Sequence, residues 1–170
     1  MVGIRKIFFD MDGVLADFDR GVIELCHMKP RNQYEPQNPA LDDAMWAAIR
    51  NVGHYYDKLE LMPGAKEMFD AVYGRHGDKC EILTGIPKPR RHIDTAAEDK
   101  IAWVRRLLSD KVRIHTVLRE EKTEHCTGPD CVLIDDYKIN VDEWTDMGGT
   151  AILNVTAGQT MAILREMGII

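Results

Sequence analysis

Asp10 and Asp12 stand two residues apart in the turn Asp10-Met11-Asp12-Gly13-Val14. Both carboxylates can therefore face one pocket, while Gly13 permits tight backbone geometry. Such a pair can hold a hard cation. Magnesium takes oxygen ligands in an octahedron at about 2.0–2.1 Å and needs only one or two carboxylates from any one loop. Asp135-Asp136 offers a second acidic source at the end of the apolar run Cys131 to Ile134. Four acids converging at strand ends are costly without a metal, because like charges oppose each other's ionisation. Alone, Asp-x-Asp-Gly reads equally well as a strand-ending turn, since Asp and Gly dominate turns. Two acidic clusters together with Thr84 and Lys122 supply cation, hydroxyl and counter-charge at once, which points to chemistry on a phosphate. Thr84 and the amides of Gly85 and Ile86 could cradle phosphate oxygens. By itself, Lys122 in Arg-Glu-Glu-Lys reads as a solvated surface charge.

These residues need a scaffold that brings distant loops to one place. Short β-favouring runs are predicted at Ile4 to Phe9, Cys80 to Thr84, Val112 to Val117, Cys131 to Asp135 and Thr150 to Val155, each followed by polar or glycine-bearing residues. Between them, Ala65, Met68, Phe69 and Val72 share one helical face behind Pro63-Gly64, and Ile101, Val104, Leu107 and Leu108 share another. Alternation of this kind implies an α/β fold, a three-layer Rossmann-like parallel sheet covered on both faces. The interval 18–62 breaks the rhythm. Two helical patterns (Phe18, Val22, Cys26, then Leu41, Met45, Ile49) flank a stretch holding Pro30, Pro36 and Pro39, with no strand evident. The expected organisation is a catalytic core of 1–17 and 63–170 with a small helical cap, 18–62, inserted after the first strand. There it would sit beside the carboxyl ends of the strands, where ligands bind in open α/β sheets.

Composition narrows the partners. The 170 residues carry 28 acidic and 22 basic side chains, a net charge of −6, which argues against a nucleic-acid polymer or an anionic membrane as the main partner. No apolar run approaches the ~20 residues of a membrane helix. Only three apolar residues separate Lys6 from Asp10, too few for a secretory signal, so a cytoplasmic location is expected. Cys26, Cys80, Cys126 and Cys131 are read as reduced packing thiols. His125, Cys126 and Cys131 lack a fourth ligand at zinc-site spacing. Neither a dinucleotide fingerprint nor a nucleoside-triphosphate loop is present.

The segment Phe9-Asp10-Met11-Asp12-Gly13-Val14-Leu15-Ala16-Asp17 resembles the first motif of the haloacid dehalogenase (HAD) superfamily, most of whose members are phosphotransferases. Ile82-Leu83-Thr84 resembles the second motif, Lys122 the third and Leu133-Ile134-Asp135-Asp136 the fourth, in the expected order. Within the superfamily the chain is most similar to the 5′(3′)-deoxyribonucleotidases. That likeness runs through residues 10–18, Leu61-Met62-Pro63-Gly64-Ala65 and Asp99-Lys100-Ile101-Ala102-Trp103-Val104.

The resemblance implies a magnesium-dependent phosphomonoester hydrolase acting on a small-molecule substrate, with an HAD-like core. Asp10 would be the nucleophile that forms an aspartyl-phosphate, and Asp12 the general acid and base, its backbone carbonyl also reaching the metal. Thr84, Gly85 and Lys122 would bind the phosphate, Asp136 would ligate Mg2+ directly and Asp135 indirectly. Lys100 aligns with a lysine of the nucleotidase pattern, although a helix carrying Lys100, Arg105 and Arg106 reads equally as a polar face; Lys88 ranks below it. Phe18, by its motif position, is the favoured candidate among Phe18, Trp46, Tyr55 and Tyr56 for stacking on a nucleobase. Two departures bear on substrate: Gly85 stands where these nucleotidases usually carry a serine, and the 18–62 segment is shorter than the usual lid. A phosphatase for sugar phosphates or other small metabolites fits the same frame. A phospho-accepting receiver domain has similar parts in a different order, and a non-catalytic phosphate-binding module is the remaining alternative.

Overall fold

The computed structural model describes residues 3–170; Met1 and Val2, the start of the expected 1–17 core segment, lie outside the described residues. Five strands, β1 (Lys6–Phe9), β2 (Cys80–Gly85), β3 (Arg113–Val117), β4 (Cys131–Asp135) and β5 (Thr150–Leu153), form one sheet in the order β3-β2-β1-β4-β5. Every pairing is parallel. The α/β class and parallel sheet expected from the alternation are therefore present. Three strands are shorter than their apolar runs suggest: β1 begins at Lys6, β3 at Arg113, and β5 ends at Leu153.

Alternation along buried strands divides the core. Ile7, Phe9, Ile82, Val132 and Ile134 face a large cluster that includes α3 (Ala65–His76), α4 (Ala96–Leu107) and α6 (Ala157–Glu166). Phe8, Leu83, Cys131 and Leu133 face the other way, against Trp144 of α5 (Lys138–Asp146). The predicted face of α3 is buried throughout. That of α4 is displaced: Ile101 is 39% exposed, and Ala96, Asp99, Lys100, Trp103 and Val104 point inward. Counting only apolar residues misplaces this face, because two of its inward positions are charged.

Two helices, α1 (Phe18–Cys26) and α2 (Pro39–Val52), occupy the interval between β1 and α3, with a 3-10 turn at Tyr56–Lys58. Asp17 caps α1 by accepting from the Arg20 amide. Asn38 caps α2, and Pro39, placed above with the irregular stretch, opens that helix at a position where its fixed φ suits the first turn. Met45 and Ile49 of α2 are buried, whereas Leu41 is exposed.

Because β1 lies between β2 and β4, the chain leaves it on one side toward β2 and β3 and later crosses to β4 and β5 on the other. The strand order reverses beside β1, and such a switch point opens a crevice at the carboxyl ends. Asp10, Asp135 and Gly85 mark those ends.

Candidate active site

The register places the acids. Phe9 pairs with Ile134, and the Asp10 amide donates to the Ile134 carbonyl at 2.9 Å, so Asp10 leaves the sheet beside Asp135. The turn that follows is closed by Leu15 and Ala16 amides on the Met11 carbonyl, both at 2.8 Å. Gly13 adopts φ +76°, and a Cβ there would lie 2.0 Å from Asp136 Oδ2. Conformation and space both demand glycine, since the Asp136 carboxyl packs on its Cα.

Asp10, Asp135 and Asp136 each present a carboxylate oxygen within 4.8 Å of the others. Lys122 answers part of this charge: its Nζ lies 2.9 Å from Asp10 Oδ1 and 2.7 Å from Asp135 Oδ2. Far from being a solvated charge, Lys122 is buried, and the two carboxylates hold its ammonium well above the usual lysine range despite that burial. Asp135 is satisfied completely, accepting also from Asn140 Nδ2 at 3.0 Å and the Tyr137 amide at 2.9 Å. Burial raises Asp10 to about 6, against the opposing pull of Lys122. Asp136 has no ion-pair partner among the described residues; burial, then the neighbouring Asp10, pushes it up to about 9.

Lys100 makes a second buried hub. Its Nζ donates to Asp12 Oδ2 at 2.7 Å, Thr84 Oγ1 at 2.9 Å and the Gly85 carbonyl at 2.7 Å, and it lies 4.5 Å from the centroid of the Tyr56 ring. Lys100, read above as either functional or an ordinary polar face, is thus fully buried against the first motif. The other Asp12 oxygen, Oδ1, is buried without a hydrogen-bond partner among the described residues.

A cavity of about 780 Å³ opens above these groups, lined by Asp10, Asp12, Phe18, Trp46, Asp136 and Arg119 among others. Thr84, Lys100, Lys122 and Asp135 are buried behind this wall, where Lys122 holds Asp10, Lys100 holds Asp12, and Thr84 and Asp135 bond in turn to those two lysines. Tyr55 and Tyr56 are buried core residues, and the Tyr55 hydroxyl donates to the Phe18 carbonyl. Lys88 lies apart, paired on the surface with Glu120 at 3.5 Å.

Asn154 and Arg119 were not legible in the motifs. Asn154 donates to the Gly13 carbonyl at 3.3 Å and accepts from the Thr160 hydroxyl at 2.7 Å, bracing the first turn from the end of β5. Arg119 reaches the cavity while bound to Asn140 and Glu143. A Cβ on Gly85 would meet the Arg119 Cα at an ordinary 3.7 Å, so packing does not dictate the glycine there.

A family model described as "5' nucleotidase, deoxy (Pyrimidine), cytosolic type C protein" matches residues 4–160. The chain belongs to this nucleotidase family. Family membership makes it a phosphatase, and the motifs at Asp10, Thr84, Lys122 and Asp135-Asp136 fall inside the matched region.

Solved structures give the fold independently. A hydrolase from Streptococcus pneumoniae TIGR4 is 11% identical, with 95% of this chain and 98% of that one covered at a TM-score of 0.52. A dehalogenase with an intermediate complex is 12% identical, with 89% and 85% covered at 0.55. Among curated protein sequences none matches significantly. No helix among the described residues of this nucleotidase-family chain is long and apolar enough to cross a membrane.

Proposed function

We propose that the protein is a magnesium-dependent phosphomonoesterase that works through an aspartyl-phosphate on Asp10 and takes nucleoside monophosphates. The observation that carries this reading is the Asp10 carboxylate at the cavity floor, with one oxygen on the Lys122 ammonium and two further acids within reach.

The donor set fits magnesium. Asp10, Asp136 and the Asp12 backbone carbonyl are the proposed ligands, with Asp135, already committed to Lys122, Asn140 and the Tyr137 amide, acting indirectly. The raised, ion-unpaired Asp136 is the group for which a hard divalent cation supplies the missing charge. When bound, magnesium contributes neutralisation of the phosphoryl oxygens, a large part of what phosphoryl transfer requires.

The chain's own groups supply the remainder. Asp10 attacks phosphorus and takes the phosphoryl group, so that one difficult displacement becomes two easier ones. Lys122 fixes the attacking carboxylate and stabilises charge on the equatorial oxygens. Lys100 holds Asp12 through Oδ2, leaving Oδ1 free to give a proton to the leaving alcohol and later to accept one from the attacking water.

The nucleotide preference is supported by the family match and by an aromatic wall, where Phe18 and Trp46 rings lie 6.2 Å apart beside the acids. Initial rates of phosphate release from deoxyribonucleoside monophosphates, ribonucleotides and sugar phosphates, with magnesium and with chelator, test it. Deoxynucleotides are expected to give the highest kcat/KM and chelator to abolish release. Highest kcat/KM on sugar phosphates would overturn the substrate assignment, and undiminished release in chelator would overturn the metal assignment.

A further inference from the structure

Between the end of α1 and the start of α2, residues 27–38 run without helix or strand along the outer wall of the catalytic cavity, contributing Lys29, Arg31 and Tyr34 to its lining. One side chain joins this segment to the core. Gln33 Nε2 donates to the Asp136 carbonyl at 2.8 Å, and Gln33 Oε1 accepts from the Lys138 amide at 2.9 Å. Lys138 opens α5, so its N–H has no partner within the helix and the glutamine satisfies it. Donating to one backbone group and accepting from another two residues on, the side-chain amide copies the pairing of a neighbouring strand. The other side-chain ties of residues 27–38 stay local: Lys29 pairs with Glu35, and Arg31 pairs with Asp42 of α2. Among the described residues, the two Gln33 bonds are the segment's only hydrogen bonds to the chain beyond residue 63.

We propose that Gln33 is a positioning residue, a latch that holds residues 27–38 against the loop carrying Asp136 as one wall of the cavity and whose release opens that wall to substrate. This deepens the proposed function and rests on it for the identity of what is retained. The two bonds close the segment against the loop that carries Asp136 without touching any reacting atom. Their loss therefore changes chiefly how often the segment lifts, because the Asp136 carboxyl keeps its own seat against Gly13.

Two variants release the latch from opposite sides. Gln33→Ala removes both bonds. Lys138→Pro removes the amide donor and places the ring against Gln33 Oε1, at a first helical position where proline is well tolerated. Limited trypsin digestion reads the opening without any assay of activity, because Arg31-Asn32 is cleavable whereas Lys29 is followed by Pro30. With each hydrogen bond worth a few-fold in equilibrium, cleavage after Arg31 is expected to quicken roughly tenfold in Gln33→Ala and by a smaller factor in Lys138→Pro. KM for the best phosphomonoester is expected to rise in the same order, with kcat changed less than about threefold. Unchanged cleavage in both variants would overturn the latch, as would a collapse of kcat at unaltered KM, which would place Gln33 in the chemistry. Should the parent protein hydrolyse no phosphomonoester, the proposed function fails, and the trypsin comparison alone decides the latch.

Discussion

Asp10→Asn is expected to abolish turnover while leaving the fold intact. An amide cannot attack phosphorus, and loss of a covalent nucleophile is felt on the order of 10⁴–10⁶-fold in kcat. The change is nearly isosteric and keeps an oxygen able to accept from Lys122, which also retains its 2.7 Å contact with Asp135. Burial already raises Asp10 to about 6, so a neutral group at this position removes a buried charge and relieves repulsion with Asp12, Asp135 and Asp136. Thermal unfolding should therefore occur at the parent temperature or slightly above it. Activity within tenfold of the parent would remove Asp10 from the nucleophile's role.

Lys122→Met is expected to damage catalysis and stability together. The ammonium is the counter-charge shared by Asp10 and Asp135, and removing one partner of a buried pair costs about 3–5 kcal/mol because the remaining charge is left uncompensated. For a chain of this size that corresponds to a fall of roughly 10 °C in Tm. Turnover should fall on the order of 10²–10³-fold, as when one preorganised donor to a transition-state oxygen is lost. The stability loss has a sign in pH. Burial already raises Asp10, and without Lys122, whose charge opposes that rise, its folded-state pKa lies further above the unfolded one, so the native variant binds more protons than its unfolded chain. Its stability must then fall as pH rises through that window. The deficit against the parent is expected to be small near pH 5 and larger near pH 8. A deficit independent of pH, or none, would show that Lys122 does not carry this charge balance.

The β1 and β4 acids were legible because the code is local. An apolar run ending in Asp-x-Asp-Gly fixes both the strand and its exit, and β4 runs from Cys131 to Asp135 as its apolar pattern indicates. Lys122 and Lys100 were legible only by resemblance, since a buried lysine is paired by residues far away in sequence. Lys100 meets Asp12 across 88 positions, and no periodicity rule scores a charge as core. The α4 face was misplaced for the same reason. Gln33 and Asn154 left no signal at all: each acts through backbone groups of a remote loop, a role open to any amide that the fold happens to present. Aromatics were ambiguous in the expected way, with Tyr55 and Tyr56 in the core while Phe18 and Trp46 line the cavity.

Acid quenching of the magnesium-loaded enzyme during turnover, followed by peptide mass spectrometry, reads the covalent intermediate itself. A phosphoryl adduct is expected on the peptide containing Asp10, present during turnover and missing in Asp10→Asn. Sustained phosphate release with no adduct on that peptide, or an adduct on another residue, would contradict it.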